Sequence, residues 1–324
     1  MSTPSTRLTR ELVRLACLAP SVGNTQPWSW RIVAPDEVEL YADPSRWLPA
    51  VDPLGRELVI SCGGALEHVV VAAESFGLTA EVEEYPHSKD PDLLARIRFG
   101  EGELTDEGVE RLAALENRRT DRHGSPARPV PPELVEQVGQ AATRCGARVV
   151  VLTEPWAVQR TEQLIEAARQ NLLTDVAAGI EQEAWVDHSG DDGIPGIVAE
   201  PSHDLEEHRA PTRFERNVWA HDSHTGHAGL LAVVCTDHDD PRAWLWAGRC
   251  LSAFWLGVTA AELALTPTTQ VMELVRTRHL VRHDVLGGLL SPQAVVRVGW
   301  PAAAAGRPSA PRTGRRATDD VLRG

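Results

Sequence analysis

The chain has 324 residues, with 32 basic and 46 acidic side chains, a formal charge of −14 and 42% hydrophobic residues, enough to bury a sizeable core at about the length of two ordinary domains. A sequence pI near 5.3 lacks the basic footprint that non-specific nucleic-acid binding or an anionic membrane surface requires, so neither partner is expected. Lys89 is the only lysine and Tyr41 and Tyr85 are the only tyrosines, which excludes a P-loop lysine, a Tyr-x-x-x-Lys pair and a Schiff-base lysine outside a polar stretch.

Arginine supplies every other base, so a bound anion is expected on planar, bidentate guanidinium groups, although the bias itself reads as composition. Cys17, Cys62, Cys145, Cys235 and Cys250 are odd in number, far apart and never form Cys-x-x-Cys. That argues against a disulfide framework or structural zinc and for a reducing cytoplasm.

The polar start leads into an amphipathic helix over residues 7–19, ended by Pro20, with no apolar core long enough for a secretory signal. Residues 30–33 and 38–41 alternate as a strand pair around Pro35-Asp36, a helix is expected over 61–76 with Gly77 left-handed after its end, and strands follow near 78–82 and 95–99. The second half repeats this order: helix 133–142, strand 147–152, helices within 157–185, strand 230–235, helix 241–265 and strand 294–298. The apolar run from Leu251 to Leu265, interrupted by Thr259 and Glu262, is too short to span a membrane and reads as a buried helix. Gly63, Leu66 and Leu78 superpose without a gap on Gly248, Leu251 and Leu263, so the expected fold is α+β with two tandem halves, 1–110 and 111–324. Residues 187–229, rich in Gly, Pro, Asp and His, are either a lid over a site or a solvent loop.

Three segments can carry chemistry. Pro20 to Trp28 (PSVGNTQPW) sets two amides beside an indole, a pattern that can grip a flat heterocycle or simply cap a turn. Asn117 to Gly124 (NRRTDRHG) holds Arg118, Arg119 and Arg122 with Thr120, able to neutralise a phosphate dianion or to stand as a solvated charge run. Arg312, Arg315 and Arg316 repeat the theme in a C-terminal arm or a frayed tail. His221, His224 and His227, like His279 and His283, have spacings a metal could use, but exposed imidazoles explain them as well and no metal is expected.

In combination and order these segments resemble the FMN-dependent nitroreductase family over most of the chain. The resemblance implies that Arg118, Thr120, Arg122, Arg315 and Arg316 hold the FMN phosphate, and that Ser21, Asn24, Gln26 and Trp28 contact the flavin and its ribityl chain. Pro267, Thr268 and Thr269 match the segment beside the flavin's reactive face, with Glu262-Leu263 standing where the family has Gly-Leu. The tandem plan is similar to a nitroreductase homodimer fused into one chain, as in the Acg-type proteins of actinobacteria. It implies one FMN per chain, because each half lacks parts the other has, and a monomer acting as a pseudo-dimer. No residue need be catalytic, since the flavin supplies the chemistry. NADPH or NADH would donate transiently, there being no G-x-G-x-x-G after a strand, and a nitroaromatic or quinone would accept. A rival expectation is an FMN store in which residues 187–229 cover the flavin.

Overall fold

The computed structural model describes residues 4–121, 128–143, 146–195, 229–268, 270–301 and 312–323. Arg122, Thr269, Cys145, His221, His224, His227 and all but the first residues and the last of the candidate lid lie outside them. Helix α1 (Thr6–Ala16) is capped by Ser5 and buries Leu12, Val13 and Leu15. Strands β1 (Trp28–Ala34) and β2 (Glu37–Ala42) pair antiparallel, with Trp30 opposite Leu40 and Ile32 opposite Val38. After α2 (Arg56–Ser75) come β3 (Leu78–Glu84) and β4 (Leu93–Glu101), giving the sheet order β1-β2-β4-β3. Helix α3 (Asp106–Asn117), which hydrophobic periodicity did not reveal, is capped by Thr105 and ends at Arg118.

The second half has the same plan. Helix α4 (Pro132–Ala142), β5 (Ala147–Leu152), α5 (Pro155–Thr174), α6 (Val176–Glu183), β6 (Leu230–Thr236), α7 (Pro241–Ala260), β7 (Ala264–Pro267) and β8 (Ser291–Gly299) build the sheet β5-β6-β8-β7. Element by element, this is the first sheet again.

Helices α2 and α7 cross with their backbones in contact. A Cβ on Gly63 would lie 2.3 Å from the Leu245 carbonyl oxygen, and one on Gly248 would lie 2.0 Å from that of Ile60. Gly63 and Gly248 are the residues that the internal repeat makes equivalent, and the contact is mirrored, so they mark the pseudo-two-fold centre. Among the described residues α2 has the length and apolarity to cross a membrane, but its side chains are buried inside the fold. It begins five residues earlier than periodicity suggests, because Asp52 accepts the Arg56 and Leu58 N–H groups and the Arg56 guanidinium is buried against Gln293 at 2.8 Å. Gly77 has the expected left-handed φ of 70°.

The helix expected over 241–265 is corrected at its end. It stops at Ala260, Glu262 takes φ 57° in the place equivalent to Gly77, and residues 264–267 pair with β8 as a strand. The apolar run hides this change, because it carries on past Thr259 and Glu262 into Leu263, Ala264 and Leu265, and so short an apolar stretch shows no alternation to separate strand from helix.

Candidate functional site

The loop between α1 and β1 is tightly folded. Gly23, Asn24 and Gln26 all have φ between 50° and 55°, a region that favours glycine and is unusual for glutamine. Side chains hold it there: the Ser21 hydroxyl accepts the Gln26 N–H at 2.9 Å and the Ser61 hydroxyl on α2 accepts the Val22 N–H at 3.2 Å. For Asn24 and Gln26 such conformations cost about 1–3 kcal/mol each and persist where the surroundings fix them, whereas Gly23 adopts its own without strain.

Both amides are then joined to the C-terminal segment. Asn24 Oδ1 accepts from Arg315 Nη1 at 3.1 Å, and Gln26 Oε1 accepts the Arg316 backbone N–H at 2.9 Å. Their NH₂ groups turn to the second half, Asn24 donating to the Gly193 carbonyl at 2.9 Å and Gln26 to the Asp191 carbonyl at 2.7 Å. The described start of the candidate lid therefore rests on the amide loop. Asp192 fastens it, bound to Arg46 at 2.5 Å and accepting from Ser189 at 2.6 Å, with His188 Nδ1 at 2.7 Å.

Arg118 follows α3 and stacks over Trp255 of α7, 4.6 Å from the ring centroid. It is 8% exposed; Nη2 reaches the Leu18 carbonyl at 3.4 Å, whereas Nε and Nη1 are buried with no hydrogen-bond partner among the described residues. Arg315 meets the Leu18 and Ala19 carbonyls, both at 3.2 Å, and its Nε is likewise buried and unpartnered. Burial and then the charge of Arg315 push Arg118 down to about 9, and burial pushes Arg315 down to about 10. Burial and the nearby Arg316 lower Arg46 too, against Asp192 and Asp43. Among the described residues neither Arg118 nor Arg315 meets a carboxylate and their buried donors lack partners, which fits a phosphate group.

Sequence reasoning thus names six residues that the fold joins: Ser21, Asn24, Gln26, Arg118, Arg315 and Arg316. Trp28 is fully buried in the first core instead of lining the polar corner. Thr120 forms a parallel bridge to Leu265 at the edge of the second sheet, the Asp121 carbonyl accepts the Thr266 hydroxyl, Pro267 ends β7, and Thr268 bonds the Val295 carbonyl at 2.9 Å. Arg46, Asp192, Ser61 and Trp255 were missed; only the position of Arg46 and Ser61 near the amide loop's partners could have drawn attention to them, and Asp192 lies 146 residues from Arg46.

No family model matches the chain. Two Mycobacterium tuberculosis proteins, each named "Putative NAD(P)H nitroreductase", do: Rv3131 is 35% identical over 303 residues, covering 92% of this chain and 86% of its own, and acg is 34% identical over 329 residues, covering 98% and 96%. The chain belongs to the nitroreductase family. Among solved structures, the FMN-dependent nitroreductase NfnB of Mycobacterium smegmatis, in complex with NADPH, is 15% identical and covers 68% of this chain and 99% of its own at a TM-score of 0.44. A Bacteroides fragilis nitroreductase with bound FMN is 13% identical and covers 64% and 96% at 0.41. Nitroreductase membership therefore rests on the mycobacterial relatives, which match nearly end to end.

Proposed function

We propose that the chain is an FMN-dependent NAD(P)H oxidoreductase acting on a small planar acceptor such as a nitroaromatic or a quinone. The observation that carries the reading is the set of buried guanidinium donors on Arg118 and Arg315, beside the amide loop, that lack a partner among the described residues. Arg118 and Arg315 would neutralise the FMN phosphate, and Arg122 and Arg316 would add to that charge. Asn24, Gln26 and Ser21 would hold the ribityl chain and the polar edge of the ring, with Trp28 supporting them from the core, and Thr120, Pro267, Thr268 and Thr269 would border the second-half side. When bound, FMN supplies hydride acceptance and one- or two-electron transfer. The protein's work is to bind, to orient and to stabilise negative charge with fixed donors.

One FMN per chain is the expected stoichiometry, in a monomer whose two halves, divided near residue 110, act as a pseudo-dimer. The described cysteines, Cys17, Cys62, Cys235 and Cys250, are free and buried, in keeping with a reducing cytoplasm. The test is flavin content after reconstitution, then anaerobic absorbance titration with NADPH and with NADH. Bleaching of a one-per-chain flavin supports the oxidoreductase, and failure to bind FMN overturns it. The hydrogen bonds from Asn24 and Gln26 to residues 191–193 favour a second reading, FMN storage under a cover. A flavin reduced by dithionite but by neither nicotinamide would select that reading.

A further inference from the structure

The pseudo-two-fold centre at Gly63 and Gly248 fixes the register of α2 against α7, and with it the twin of every residue on these helices. Ser61 corresponds to Trp246 and Gly64 to Arg249. In the first half this face holds the amide loop: Ser61 accepts the Val22 N–H, and a Cβ on Gly64 would have the Pro20 carbonyl oxygen at 3.8 Å and the Ala19 methyl at 3.9 Å. In the second half the same face is filled by its own side chains. The Trp246 ring lies 3.0 Å from where a Gly146 Cβ would sit, and its Nε1 donates to Glu84 Oε2 at 2.7 Å. Arg249 bonds Glu84 at 3.4 Å and the fully buried Glu67 at 3.2 Å. The connection between helix and strand is correspondingly shorter, 143–146 against 17–27.

We propose that Ser61 and Gly64 are positioning residues that seat the amide loop, and that Trp246 and Arg249, occupying the equivalent seat, extinguish the twin site. Side-chain size on one helix face thereby sets one binding site per chain. The inference deepens the proposed function by explaining its stoichiometry, but the seating itself is independent of which ligand binds.

Serine 61 is buried in a packed contact, and an indole there has no room unless the loop leaves. S61W and G64R should therefore lower bound FMN from about one per chain to below about a tenth, and abolish the rise in Tm given by inorganic phosphate. Amide hydrogen exchange over residues 20–27 should accelerate at least tenfold in both, with β5 to β8 unchanged. S61A gives up one hydrogen bond but keeps the face small, so it should weaken FMN binding far less than S61W, and G64A should retain FMN within about threefold of the wild-type Kd. An S61W chain that binds FMN like the wild type with a protected loop, or an S61A chain that loses as much as S61W, overturns the proposal. Should S61W fail to fold, S61L reads the same seat, with at least tenfold weaker FMN binding expected and wild-type affinity overturning it. A wild-type chain that takes up no FMN defeats the functional reading alone, because loop exchange in S61W against S61A still decides the seating.

Discussion

Among the described residues, two pairs of buried and half-buried arginines are built in opposite ways. Arg249 and Arg111 lie among acids: Arg249 bonds Glu67 and Glu84, and Arg111 bonds Glu74 at 2.5 Å with Glu67 at 3.6 Å. Arg118 and Arg315 meet carbonyls, neutral side chains and an aromatic face, and among the described residues neither meets a carboxylate. Desolvating a cation without an opposite charge disfavours the folded state, so the first group is internally complete and the second is the one that the proposed anion would complete. The same residue type marks structure in one place and the proposed binding site in the other, and the partners make the distinction.

The largest effect that would break this comparison is on stability. R249A leaves Glu67 buried without that cation and should destabilise the chain by about 3–5 kcal/mol, measured by urea unfolding. R118A should cost far less stability and instead weaken FMN binding by about 1.5–3 kcal/mol, the scale of a charge-assisted hydrogen bond, read by titration of the apoprotein. Equal stability losses in the two variants would erase the contrast.

A pH series sharpens it. The folded-state pKa of Arg118, about 9, is below its usual value, so the protonated group opposes folding at neutral pH, and this penalty is relieved as pH rises through about 9. A bound anion reverses the balance by rewarding the charged form. The rise in Tm caused by inorganic phosphate should therefore be largest below about pH 8 and shrink on passing about pH 9, and R118A should flatten that profile. The smallest expected effect compares the twin turns after α2 and α7. E262G should stabilise the chain by about 1 kcal/mol, because a non-glycine residue at φ 57° is strained, whereas G77A should destabilise it by a similar amount.

Much of the fold was legible because the internal repeat and the local patterns agree. Ala147–Leu152 has the predicted bounds, and Gly63 and Gly248, aligned from spacing alone, proved to touch. The end of α7 was misread where an apolar strand follows an apolar helix, although the alignment of Leu263 with Leu78 already carried the strand's start. In the site, arginines and amides could be named but not their pairing. Whether an arginine is satisfied depends on residues brought from far away, as Asn24 and Arg315 are, 291 positions apart.

The last described residues also impose an order on synthesis. Leu322 lies beside Trp30 as a parallel bridge at the open edge of β1, the Arg323 N–H bonds the Trp30 carbonyl at 2.7 Å, and Arg315 reaches back to the amide loop. At about 5–20 residues per second, the ribosome finishes this segment roughly 15–60 s after Trp30. Until then the first sheet waits with an unpaired edge, open to the wrong neighbour. Arg315 and the cover for the β1 edge arrive on the same segment, so the proposed anion site cannot assemble before the end of the chain reaches the first sheet.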